Sequence, residues 1–169
     1  IHCGLVGSEM CIRDRTQHVH ALSSGNNISA PPKLSNAEKC YELAINSEFN
    51  QERNDRALFH CNKALRFDTL SASNKAKTYI NRGVLLKNMA QLKRASGDFR
   101  RAGKLLRHSA NVQINLGNIA YLRGNFDRAL QSYDRAIAWN IREPYKAYLN
   151  RGLTSVSYTH LTLPTRCLG

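Results

Sequence analysis

KTYINRGVL, residues 77–85, and KAYLNRGLT, residues 146–154, carry Lys, Tyr, Asn, Arg and Gly in one register. They stand 69 residues apart, about twice 34, and midway between them VQINLGNIA, residues 112–120, supplies the same Asn and Gly as Asn115 and Gly117. A recurrence of about 34 residues is the length of a helix-turn-helix unit that cannot close its own core and must stack on its neighbours.

The second helix of each unit keeps the phase. Ala95, Phe99 and Ala102 are answered 34 residues later by Ala129, Tyr133 and Ala136, and more loosely upstream by Ala57, Cys61 and Ala64. Spacings of four and three place each trio on one helical face. A glycine inside a helix costs about 1 kcal/mol against alanine, so Gly83, Gly117 and Gly152 predict a close helix approach that returns at least as much. The pattern predicts helices over 36–49, 54–67, 74–89, 92–106, 109–123, 126–139 and 144–153. Ser35-Asn36-Ala37-Glu38 reads as a capping box, and Gly124-Asn125 and Pro144 read as stop and start signals.

Over about residues 37–153 the chain resembles the tetratricopeptide repeat family. The family's small residue in the first helix falls on Gly83, Gly117 and Gly152. Its second-helix alanines fall on Ala57, Ala95 and Ala129 and on Ala64, Ala102 and Ala136, and its aromatic falls on Phe99 and Tyr133. Three departures stand out. Thr69, Arg107 and Ile141 occupy the place of the usual proline, repeat one is about four residues longer than the 34-residue unit, and repeat four stops after one partial helix. The resemblance implies an all-α fold of tandem helix-turn-helix repeats forming a short right-handed α-solenoid.

The flanks read differently. One choice of codons for EMCIRDR, residues 9–15, gives as its reverse complement a sequence that encodes SVSYTHL, residues 155–161. Folding and binding supply no reason for two peptides to be related through opposite DNA strands. GLVGSEMCIRDR at 4–15 and SVSYTHLTLPT at 155–165 both look like translated transposon-end sequencing adapter, and such scars are set aside before reasoning about a fold. The expected organisation is an unstructured adapter-like segment at 1–15, a linker or leader remnant at 16–35, three repeats plus a truncated fourth at 36–153, and a second adapter-like segment at 154–169. His18 and His20 have a His-x-His spacing with no third ligand nearby, the pattern of solvated linker histidines, and no metal or cofactor site is expected. An array that ends on an orphan half-repeat is expected to bare apolar surface and to self-associate.

Of 25 Lys and Arg and 12 Asp and Glu, only Arg13, Arg15, Arg166, Glu9 and Asp14 fall in the flanks, so the positive excess belongs to the repeats. No run of about 18 apolar residues is present, so no membrane-spanning helix is expected. The interior also lacks a Gly-rich phosphate loop, a Cys-x-x-Cys pair and a His-Glu-x-x-His run. His60 and His108 stand alone, and Asp127 and Asp134 read as solvated faces, so no catalytic residue is expected.

In the resembled family, the first helices line a concave groove that receives a segment of another protein. The equivalent stripe here is Lys77, Asn81, Val84 and Asn88, then Asn111, Asn115, Asn118 and Leu122, then Lys146, Asn150 and Leu153. An asparagine carboxamide donates and accepts at once, so a row of them can pair with the amides of a bound chain. Lys77 and Lys146 would attract carboxylates, which suits an acidic partner. The alternative is that Asn81, Asn115 and Asn150 bond within their own helices and set the repeat geometry. Arg82 and Arg151 read as contacts between repeats, Tyr79 and Tyr148 as packed between helices, and Trp139 as the core residue closing the third repeat.

Cys40 and Cys61 are equidistant from the turn expected near residue 50, where an antiparallel helix pair would set them side by side within disulfide reach. Filling small buried slots as free thiols is the competing reading. A disulfide would suit an oxidising compartment, and paired cysteines of this kind resemble those of exported bacterial tetratricopeptide proteins, which weighs toward a periplasmic setting over a cytoplasmic one. Arg100, Arg101, Lys104, Arg107 and His108 concentrate positive charge beside Phe99, the pattern that would serve nucleic acid or an anionic membrane surface. The function expected from the whole is a non-catalytic scaffold that binds a peptide or protein segment, with nucleic-acid or membrane binding through the basic patch as the alternative.

Overall fold

The computed structural model describes residues 34–45, 51–139 and 144–162, with the side chains of 161 and 162 excepted. The expectations for 1–15, for 16–33 with His18 and His20, for Ile141, and for 163–169 lie outside the described residues. Seven helices follow in order: α1 Asn36–Ile45, α2 Gln51–Phe67, α3 Ala72–Asn88, α4 Leu92–Leu105, α5 Ala110–Leu122, α6 Phe126–Ala138 and α7 Tyr145–Thr162. There is no strand among the described residues.

Local chemistry sets the boundaries. Ser35 and Glu38 close the capping box, with the Glu38 carboxylate accepting from the Ser35 amide at 3.0 Å and the Ser35 hydroxyl accepting from the Glu38 amide at 3.3 Å. Ser71, Ser109 and Asn125 cap α3, α5 and α6 in the same sense, each side-chain oxygen accepting from the amide three residues on. The turns after α3 and α5 both use left-handed backbone, at Ala90 (φ 57°) and at Gly124 (φ 71°), which are 34 residues apart. Glycine enters that region freely and alanine does not, so repeat three carries the better residue.

Helices α2 and α3 begin earlier than the periodicity predicts, at 51 and 72; the polar first turn of α3 has no apolar stripe and is held by the Ser71 cap. Helix α7 departs most, running to Thr162 and not to 153. Thr154 is buried on it and donates to the Asn150 carbonyl, and the Ser157 hydroxyl meets that of Tyr121 at 3.1 Å. The run 155–162 contains no proline to stop the helix.

The helices pack as α1 on α2, α3 on α4 and α5 on α6, and these pairs stack through α2 on α3, α4 on α5 and α6 on α7. The first helices also touch across repeats, α1 on α3, α3 on α5 and α5 on α7, whereas α2, α4 and α6 do not touch one another. The array is therefore an α-solenoid with the first helices along its inner edge. Its core is the predicted face: Ala57, Cys61, Ala64, Ala95, Phe99, Ala102, Ala129, Tyr133 and Ala136 are all fully buried. A methyl group added at Gly83 would lie 2.7 Å from the Phe99 ring, and one at Gly117 would lie 2.5 Å from the Tyr133 ring. Glycine is what lets each aromatic side chain lie across the facing helix.

Cys40 of α1 and Cys61 of α2 are joined by a disulfide, with Cα atoms 4.8 Å apart. The bond lies in a small buried cluster with Ala57 and Leu85.

Candidate peptide groove

Where α1 and α3 meet on the inner edge they leave a cleft of about 690 Å³, lined among others by Ser35, Glu38, Tyr41, Asn74, Lys77 and Asn81. Two residues of the sequence-derived stripe, Lys77 and Asn81, stand together here. They lie one helical turn apart on α3, and Glu38 faces them from α1. The wall thus offers a cation, a carboxylate and two carboxamides, a mixed polar lining able to pair with main-chain amides and to orient charged side chains. Both carboxylates at the cleft are engaged: Glu38 in the capping box with Ser35, and Asp68 by accepting from the Asn36 carboxamide at 3.0 Å and from the Ala37 amide at 3.2 Å, which ties the start of α1 to the end of α2.

The rest of the stripe divides. Asn88, Asn111 and Leu122 keep exposed or half-exposed positions, while Val84, Asn115, Asn118, Lys146 and Asn150 are buried. In Asn118 the buried Oδ1 accepts from the Tyr133 hydroxyl at 2.8 Å and from Asn150 Nδ2 at 3.0 Å, so it joins α5, α6 and α7. Asn115 donates through Nδ2 to the Asn111 carbonyl at 2.9 Å. Asn118 and Asn150 therefore hold repeats together, and Asn115 bonds its own helix. All three stand on first helices and are buried, Asn118 and Asn150 where α5 meets α7. The Asn115 Oδ1 and Asn118 Nδ2 atoms have no hydrogen-bond partner, an acceptor and a donor left over from the same helix. Burial is the main cause that raises the Tyr133 phenol above its usual range, opposed by the Thr154 hydroxyl beside it.

Arg82 and Arg151 act between repeats. Arg82 grips both carboxylate oxygens of buried Asp98 at 2.7 and 2.8 Å and reaches Asn62 of the preceding repeat at 2.9 Å. Arg151 repeats the second contact, bonding Asp134 at 2.6 Å, and Asn62 and Asp134 each follow the core residue of their helix by one position. Asp98 is the functional-looking residue that periodicity missed. Its only signal was an acidic side chain inside an otherwise basic helix.

Tyr79 packs half-buried on the core, with the guanidinium groups of Arg82 and Arg101 over its ring at 5.6 and 6.0 Å. Tyr148 corrects the expectation made for both, being 55% exposed. Tyr79 is covered by residues of α4, and among the described residues no helix takes the corresponding place over α7. Trp139 caps α6, packs on the second core cluster and meets the His108 ring edge-on at 5.2 Å. In the basic patch Arg100, Lys104, Arg107 and His108 are exposed, but Arg101 is paired with Asp98 at 3.0 Å.

No three of His, Cys, Asp and Glu among the described residues are grouped to hold a metal ion, and no helix there is long and apolar enough to cross a membrane. Residues 110–141, which span α5, α6 and their capped turn, match the tetratricopeptide repeat family. The chain therefore carries a tetratricopeptide repeat at those residues. It is also similar to human protein O-mannosyl-transferase TMTC1, 27% identical over 99 residues. That match covers 59% of this chain and 11% of the relative, so the tetratricopeptide-repeat chain spans only a small part of the protein it matches. Repeats of this family serve protein–protein interaction.

Proposed function

We propose that the array is a non-catalytic scaffold that receives an extended segment of another polypeptide along its inner edge, entering at the cleft between α1 and α3. The observation that carries this reading is the roughly 690 Å³ cleft, where Lys77, Asn81 and Asn74 of α3 face Glu38 and Tyr41 of α1. Two features support it. The lining pairs with main-chain groups without demanding particular side chains, and the unpartnered Asn115 Oδ1 and Asn118 Nδ2 are an acceptor and a donor that an adjacent peptide amide would complement once α5 and α7 part. Lys77, exposed on the rim, favours segments with a carboxylate at that point, while Lys146, 5% exposed, adds little to the surface field.

The test is to select binders for the full chain from a random peptide display library, then measure them against Lys77→Glu and Asn81→Ala. Loss of at least about tenfold in affinity, about 1.4 kcal/mol, with helicity unchanged, is the expected result. Selected peptides that bind both variants as they bind the parent would overturn the reading.

A further inference from the structure

The outward face of α2 is of a different kind from the rest of the surface. Taking about 100° per residue, Arg56, Phe59, Lys63, Arg66 and Phe67 fall within one arc of about 100°, opposite the buried Ala57, Cys61 and Ala64. All five are exposed, Phe59 by 55% and Phe67 by 65%. Each ring carries a cation of its own helix: the Lys63 ammonium lies 4.8 Å above the Phe59 ring and the Arg66 guanidinium 5.0 Å above the Phe67 ring. The acidic residues of the helix, Glu52 and Asp55, sit in its first turns, and Asp68 beyond its end is bonded to Asn36 and Ala37. The last three turns therefore carry no acidic side chain.

We propose that this face docks on an anionic phospholipid surface, Phe59 and Phe67 entering between headgroups while Arg56, Lys63 and Arg66 stay at the phosphates. A ring with its cation about 5 Å away meets the two layers of a membrane interface at once, the apolar edge inward and the charge at headgroup level. Charge complementarity selects the anionic surface. The same geometry disfavours single-stranded nucleic acid, which needs open ring faces for base stacking and a groove to follow. Lys63 covers a face of Phe59, His60 meets that ring in T-shaped contact with centroids 5.4 Å apart, and α2 lies on the outer side of the array. Since α2 packs its opposite side on α1 and α3, docking leaves the inner cleft open, and the inference stands whether or not that cleft binds a peptide.

The experiment is co-flotation of the full chain with vesicles of phosphatidylcholine containing phosphatidylserine, with phosphatidylcholine alone, and, in a parallel arm, retention on oligouridylate. The parent should bind the anionic vesicles and not the neutral ones. Phe59→Ala with Phe67→Ala should lower that binding at least about tenfold from lost apolar burial, and Lys63→Glu with Arg66→Glu should abolish it. Circular dichroism should be unchanged in both, because all four side chains are exposed. Binding to neutral vesicles as strong as to anionic ones, anionic binding untouched by the phenylalanine pair, or oligouridylate retention that depends on Phe59 and Phe67 without vesicle binding would each overturn the proposal.

Discussion

A methyl group is all that separates alanine from glycine, and its effect depends on what stands opposite. At Gly83 and Gly117 the added carbon would press into the rings of Phe99 and Tyr133, while at Gly152 nothing lies within 4 Å. Gly83→Ala and Gly117→Ala are therefore expected to destabilise, since overpacking costs about 1–3 kcal/mol against a helix-propensity gain of about 1 kcal/mol. Gly152→Ala meets only the gain and should stabilise by up to that amount. Urea denaturation of the three variants checks the contrast, and a shared sign would refute it. All three glycines were legible from the 34-residue recurrence because sequence records the place in the unit. Sequence does not record whether a facing helix is there, so Gly152 and Tyr148 read like their counterparts and differ from them in surroundings. Asp98 escaped for another reason: repetition highlights what recurs, and the same place in α2 and α6 holds His60 and Ser132.

At the scale of the helix, α1 is an element whose packing is supplemented by a covalent bond. It is ten residues long with Cys40 as its single fully buried residue, held by the bond to Cys61, the capping box and the Asp68 contacts. A cross-link closing a separation of 21 residues stabilises by about 3 kcal/mol through the unfolded chain. Reduction with dithiothreitol should remove that much and free α1 first, lowering the urea midpoint and exposing the start of the array to protease. A midpoint indifferent to reductant would refute the assignment. Helix existence and order were legible because periodicity reports burial of a face. The starts of α2 and α3 and the length of α7 were not, because polar helical turns and helix run-on leave no apolar period to read.

Across the whole molecule, the two sides of the stack end differently. Tyr145, Tyr148, Leu149 and Val156 form an exposed stripe on α7 around Gly152, with Leu149 at 44% and Val156 at 67%. In the described residues the corresponding stripe on α3 is covered by α4. Apolar faces of this kind associate, so the chain is expected to form dimers or larger species at high concentration. Leu149→Glu with Val156→Glu should restore the monomer in light scattering; a parent that stays monomeric at every concentration would refute this. The cleft that we propose as a peptide groove was legible in its helices and in Lys77 and Asn81. It was not legible in Asn118 and Asn150, whose role depends on how closely α5 approaches α7, a tertiary distance that no spacing encodes.

Arg82 ties α3 to α4 through Asp98 and to α2 through Asn62, whereas Arg151 has a single contact with the solvent-facing Asp134. A ladder of near-identical rungs thus has one rung bolted at both sides. Thermal opening will run inward from the extremities and halt at α3 and α4, so the centre endures as a compact remnant on which the outer pairs can reassemble.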